Sequence, residues 1–186
     1  WDPDMIAAED TDAYMTEWAA QNFGDKYATD IADIISQYTK YNLWRKAEVQ
    51  TPGVFSVSNH READRVDALW KGLEAKAETI RKVLPAGLDD AYYQLVYYPT
   101  VASSGVARIY NAITRNRHYA YQGRPSANDW SEVAKELFER DKRLSAYYND
   151  TLANGKWKRM MSDVHIGYVK WSMPKENKLP KMKKVA

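Results

Sequence analysis

Seven apolar residues, Ala63, Val66, Trp70, Leu73, Ala77, Ile80 and Leu84, alternate three and four positions apart, and no other pattern in the chain constrains its fold as tightly. Side chains at that spacing share one face of an α-helix, and the seam they form must be covered by other helices. Ser58 stands where an N-terminal cap is expected, and Pro85 and Gly87 stop the pattern. Charged residues fill the remaining positions, so the opposite face is solvated.

The flanking sequence repeats the helical period. Asp10 or Thr11 can cap a first helix running to about Phe23, with Gly24 just past its end. Tyr27, Ile31, Ile34, Tyr38 and Tyr41 stripe a second helix that fades near Lys46, before the Pro52-Gly53 loop. A fourth helix is expected from about Asp89 to Tyr121, striped by Tyr92, Leu95, Ala102, Val106, Ile109, Ile113 and Ala120. It would be roughly 50 Å long. Pro99 falls on its seam and should kink it, because the ring removes one ladder bond. Asp89 and Asp90 suit its N-terminus, where the dipole favours carboxylates. Ser126 or Asn128 opens a fifth helix striped by Val133, Leu137, Leu144, Tyr148 and Leu152, and Gly155 ends it. A short helix from Trp157 to about Asp163 should follow, then a His165-Ile166-Gly167-Tyr168 turn and a proline-punctuated tail. Val54-Phe55-Ser56-Val57 alternates weakly but stands alone. The expectation is an all-α, antiparallel up-down bundle of about five helices, with a long Pro-kinked helix and an extended C-terminal tail.

At 186 residues the chain can bury a core without cross-links, and it has no cysteine, which excludes disulfides and thiolate chemistry. Its formal charge of +2 is uneven: five lysines against Glu176 give the tail after Pro174 +4, leaving the body at −2. A basic stripe on the fold itself is lacking, so a nucleic-acid partner is not expected. The segment 175–186 reads as a solvated basic linker toward a following domain, and 1–174 as the bundle domain. No apolar run approaches a membrane span, no membrane partner is expected, and no signal peptide is visible. The chain opens at Trp1 without Met, as an excised segment or a processed chain would. Fourteen Tyr and seven Trp against three Phe favour aromatics with a polar handle, suited to half-buried surfaces.

Few motifs carry chemistry. There is no phosphate loop, dinucleotide fingerprint or zincin helix, and Ser103-Ser104-Gly105 lacks the strand a nucleophile elbow needs. His60, His118 and His165 are far apart, and none has a second ligand at helical spacing, so neither a metal site nor a cofactor is expected. Asp141 sits on the apolar stripe of the fifth helix, where a carboxylate must be paired. Arg108, Arg115 or Arg117 could reach it as an interhelical salt bridge. Arg124 closes a polar-aromatic run from Arg115, at a helix end where cations are favoured. Asn149-Asp150-Thr151 has the acceptor pattern for a glycan but lies in a helix. Trp157, Met160 and Met161 read as packing. His165 and Tyr168 flank Gly167 beside Trp171 and could line a carbohydrate cleft, the alternative being a turn that packs the last helix onto the bundle. No catalytic residue is assigned.

Several blocks together resemble the helical domain of glycoside hydrolase family 115, the xylan α-glucuronidases. They are Lys40-Tyr41-Asn42-Leu43-Trp44-Arg45-Lys46, Ala91-Tyr92-Tyr93-Gln94-Leu95-Val96 with Tyr98-Pro99, and Asn116-Arg117 through Tyr119-Ala120 to Gln122-Gly123-Arg124. Leu137-Phe138 with Asp141, Gly155-Lys156-Trp157, Met160-Met161 and His165-Ile166-Gly167-Tyr168 complete the ordered set. The resemblance implies a multidomain enzyme with a catalytic barrel before the bundle, of which residues 1–4 would be a remnant, and a β-sandwich after it. It implies removal of glucuronic acid or its 4-O-methyl form from glucuronoxylan with inversion, secretion or a periplasmic location, and a possible homodimer. An inverting glycosidase needs two carboxylates roughly 6.5–9.5 Å apart, and no residue here is assigned that role. The competing expectation is a freestanding helical module that binds carbohydrate or protein without catalysis.

Overall fold

The computed structural model describes residues 11–169 and 172–186. Helix α1 (Thr11–Phe23) passes through Gly24 directly into α2 (Asp25–Trp44). Gly24 makes this possible because its φ of 89° lies in the left-handed region. A 3-10 turn (Ala47–Val49) and a loop lead to α3 (Glu62–Val83). A second 3-10 turn (Ala86–Leu88) leads to α4 (Asp89–Tyr92), which continues through a π turn (Tyr93–Tyr97) into α5 (Tyr98–Tyr121) as one unbroken rod. Helix α6 (Ala127–Asp150) ends in a 3-10 turn (Leu152–Gly155). The all-α expectation holds, and no strand occurs among the described residues.

The seam on α3 is buried: Ala63, Val66, Trp70, Leu73, Ala77, Ile80 and Leu84 join Phe23, Ile31, Ile34 and Tyr92 in one core. The ends of α2 and α3 meet in opposite order, the Tyr27 hydroxyl donating to the Val83 carbonyl at 2.9 Å and the Tyr41 ring lying edge-on to Trp70. The Tyr92 hydroxyl reaches Ala77 at 3.0 Å and Arg115 reaches Asp64 at 2.9 Å, so the α4–α5 rod runs antiparallel to α3. The same holds for α5 and α6, which meet at Tyr98–Ser145 and at Asn116–Ala127. Val106, Ile109, Ile113, Leu137 and Phe138 form a second core between them, and Tyr93, Tyr98, Tyr148 and Leu152 a third.

Several boundaries differ from the sequence reading for local reasons. Ser58 does not cap α3. The Glu62 carboxylate instead accepts the Ser56 N–H at 2.9 Å, while Ala63 N–H bonds the Ser56 carbonyl. The disturbance expected at Pro99 takes the form of the π turn immediately before it, which lets the rod continue past a residue without an N–H. The wider turn shifts the buried face: Tyr93 and Val96 are inside, and Leu95 is 43% exposed. Ala153, Asn154 and Gly155 are successively left-handed and so is Arg159 (φ 69°), so the short helix expected from Trp157 is a run of turns. The Asn149 amide accepts the Met161 N–H and donates to its carbonyl, which commits the acceptor position of the glycan pattern. Trp157 and Met161 pack on the third core, whereas Met160 is 55% exposed.

The basic tail keeps its charges in solvent but packs on the bundle rather than leaving it. It runs back across α5 and α6 as a strap, with Leu179 and Met182 packed on the second core. Asn116 clasps Lys183 by both its N–H and its carbonyl, at 2.8 Å each, and Asn128 does the same to Val185. Arg117 donates two bonds to the Lys181 carbonyl. The lysine side chains and Glu176 face outward.

Two substitutions probe this architecture. Arg115 is 2% exposed and bonds Asp67 at 2.7 Å, so Asp67→Ala leaves a buried cation short of its main partner. A loss of about 3 kcal/mol in urea denaturation is expected. Gly167 has φ 98°, and a Cβ there would lie 2.7 Å from the Lys178 carbonyl. Gly167→Ala should therefore cost about 2 kcal/mol and speed hydrogen exchange at Lys183 and Val185.

Candidate functional site

Asp141 lies on the inward face of α6 and is 3% exposed. Its partner is His165, whose Nε2 sits 2.9 and 2.8 Å from the two carboxylate oxygens. The three arginines considered for this role are engaged elsewhere. Arg108 pairs with Glu74, Arg115 with Asp67 and Asp64, and Arg117 with the Lys181 carbonyl. His165 Nδ1 lies 3.1 Å from the Asp163 carbonyl. Both ring nitrogens therefore face acceptors, which is the bonding pattern of an imidazolium. Burial works against that charge, but the Asp141 hydrogen bond and charge outweigh it and raise the His165 pKa.

The turn that presents His165 is held from three directions. His165 N–H and Ile166 N–H both donate to the Asn177 side-chain oxygen at 2.9 Å. Lys178 N–H returns to the Ile166 carbonyl, and the Tyr110 hydroxyl accepts the Gly167 N–H at 3.0 Å. Ile166 is fully buried in the second core, and Ala47 packs against that cluster. The 3-10 turn after α2 and the His165 turn thus share one support. Between them opens a cleft of about 540 Å³ lined by Arg45, Lys46, Glu48, Val49, Thr51, Tyr168 and Val169. Such a volume lies inside the ~300–1,000 Å³ range of small-molecule sites.

Of the residues singled out in the sequence, Tyr168 is on this cleft, its hydroxyl donating to the Val164 carbonyl at 3.1 Å. His165 lies next to it, but both ring nitrogens are committed to the protein. Trp171 lies outside the described residues. Arg124 stacks on Tyr119 at 4.0 Å from the ring centroid, as a local feature at the end of α5. Arg45 belongs to the block that carries the family resemblance, yet neither it nor Lys46 stood out as a site residue. Lysine and arginine just past a helix end are what the helix dipole favours anyway, and that masked them. Asn177, an amide between two prolines, was hidden by the lysines around it. Among the described residues no cluster of three potential metal ligands occurs, and no helix is long and apolar enough to cross a membrane.

Fold and site together define an all-α bundle closed by a C-terminal strap, with a small cleft at the loops the strap supports. Residues 1–49, which include α1 and α2, match the model of glycosyl hydrolase family 115. The fold is similar to part of a solved structure described as a family GH115 4-O-methyl-α-glucuronidase, BtGH115A, with specificity for decorated arabinogalactans. The TM-score is 0.68 at 24% identity, over 87% of this chain and 22% of that one. A search of curated proteins finds no match. A helical domain of a family 115 hydrolase fits both findings, in agreement with the blocks from Lys40 to Tyr168. The chain spans 22% of the length of that solved enzyme.

The His165–Asp141 pair gives the bundle a pH dependence with a definite sign. A histidine whose folded pKa is raised adds stability that is complete below its unfolded value and is lost as pH rises through the folded value. Exchange at the strap amides should accelerate as pH rises from about 6.5 upward, beyond the intrinsic rate increase. His165→Ala should remove this excess and cost about 3 kcal/mol, because Asp141 is left buried and unpaired. Strap exchange that follows only the intrinsic pH dependence would refute a stabilising role for the His165–Asp141 pair.

Proposed function

We propose that this chain is the helical bundle of a multidomain α-glucuronidase, supporting the catalytic barrel and closing part of its cleft wall, and that it is inactive alone. The intact enzyme would release glucuronic acid or 4-O-methylglucuronic acid side chains from glucuronoxylan. The observation that carries the inactivity is the state of the carboxylates at the helix interfaces. Asp67 and Asp64 are bonded by Arg115, Glu74 by Arg108 and Arg140, Asp89 by both prongs of Arg81, and Asp141 by His165. Arg81 and Arg115 hold the Asp89 and Asp64 carboxyls below their usual range. A general acid must hold a proton near neutral pH, and the arginines on Asp89 and Asp64 work against that.

Support for the parent comes from the family match at residues 1–49 and from a fold likeness that spans most of this chain but a fifth of the solved enzyme. The strap would lead onward to a β-sandwich, and the outer faces of α2 and α3 are available to the barrel or to a second subunit. Secretion or a periplasmic location accords with a polymeric substrate. Incubated alone with glucuronoxylan, the 186-residue chain should release no uronic acid. The parent with its flanking domains should release it, with decorated arabinogalactan as the competing polymer. Uronic acid released by the isolated chain would refute the proposal, and so would a parent reading frame lacking strand–helix alternation upstream.

A further inference from the structure

We propose that the cleft between the 3-10 turn after α2 and Tyr168 is a binding subsite for a carboxylate-bearing sugar, with Arg45 as the carboxylate anchor. The first argument is the state of Arg45. Its Nε donates to the Val49 carbonyl at 2.7 Å, and its own carbonyl accepts from the Gln50 side chain. The guanidinium is thereby oriented before any ligand arrives. Its two terminal nitrogens have no hydrogen-bond partner among the described residues, although Arg45 is half-buried on the cleft wall. A fork held in this way matches a carboxylate in two-pronged geometry, and its ordering cost is already met by the fold.

The second argument is the rest of the lining. Lys46 adds a second cation against the carboxylate of Glu48, so among the described residues the wall is net positive by one. Thr51 can donate to or accept from sugar hydroxyls, and the Glu48 carboxylate can accept from them. The Tyr168 ring is fixed by its hydroxyl bond to Val164, and Val49 contributes aliphatic carbon to the same cleft. An aromatic ring and aliphatic carbon in one cleft suit the C–H face of a pyranose. A compact inorganic anion would use the cations and leave that wall idle, and a neutral sugar would use the wall and leave the fork idle. A uronate uses both. The inference rests on the glucuronidase reading only in extending it to a subsite on this chain, and it is tested without the enzyme's activity.

The test is a titration of the full chain followed by backbone amide signals of Val49 and Thr51 and by the Tyr168 ring signals. Glucuronic acid should move all three sets, with a dissociation constant on the order of 1 mM. Glucose should move none of them at the same concentration, and inorganic phosphate should leave the Tyr168 ring unmoved. Arg45→Gln should weaken glucuronate binding about tenfold, a typical loss for a charged hydrogen bond. Because that change also removes the bond to Val49, Lys46→Gln serves as a second variant that leaves the turn intact, and it should weaken binding about threefold. Any of four results overturns the proposal: no response to glucuronate, an equal response to glucose, phosphate moving the ring as strongly, or unchanged affinity in both variants while folded. Failure of the parent to release uronic acid would leave this titration unaffected, so the two readings fail separately.

Discussion

A guanidinium buried between three helices has to be answered by carboxylates, and the arrangement of this bundle follows from how Arg115 is answered. It bonds Asp67 and Asp64, one helical turn apart on α3, and its face lies 4.5 Å from the Trp130 ring of α6. Asn111, one turn earlier on α5, takes the other oxygen of Asp67 at 2.8 Å. A one-residue slip of α5 against α3 would strand a buried charge, at a cost of several kcal/mol. Apolar side chains tolerate such slips far better. The seam on α3 therefore explains that the helices pack, and the Arg115 cluster explains in which register they do so. Glu74, shared by Arg108 and Arg140, repeats the device further along the same faces.

Register in turn places the strap. Asn116 follows Arg115 in the chain, and its amide is buried at the end of α5 next to the start of α6. That position lets it clasp Lys183 while Asn128 clasps Val185. Two asparagines thus act as a surrogate edge strand for a segment with no sheet to join. The strap then supplies Asn177, whose side-chain oxygen caps two N–H groups of the His165 turn. Buried backbone donors need such partners, so the turn depends on the strap and the strap depends on the register.

The fold was legible where periodicity speaks and illegible where single polar atoms decide. The stripe through Ile31 and Ile34 and the seam from Ala63 to Leu84 could be read directly, because burial alone sets those residues. Leu95 misled because a π turn changes the period within one rod, and only Pro99 hints at it. The partner of Asp141 could not be read from helical spacing. The nearest cations by that rule are arginines on α5, yet each is taken by another carboxylate or carbonyl, and the histidine that remains comes from a turn beyond α6. The tail misled through its charge. Lysines three apart at 175, 178 and 181 suggest solvation, but they mark only the outer face of the segment, and Leu179 and Met182, also three apart, pack inward. The cleft was half legible: Tyr168 was singled out, while Arg45 was hidden by an ordinary role at a helix end.

The same dependence decides how the cleft behaves. Tyr168 is one residue from Gly167, which is tied to Tyr110 on α5, and three from His165, which is tied to Asp141 on α6. The opposite wall hangs on α2 and touches the same buried cluster through Ala47. The two walls therefore belong to different helices and are held together by packing around Ile166. Deprotonation leaves His165 one ring N–H for two acceptors and removes the charge that holds Asp141. That loosens one wall while the other stays in place, so affinity at the cleft should fall as His165 loses its proton. The carboxylate of a sugar remains ionised throughout that range, and so does Arg45. A decline in uronate affinity above about pH 6.5 would thus report the wall moving rather than a change of charge at the anchor. His165→Ala should flatten that profile at the weaker level, whereas Arg45→Gln should lower it at every pH.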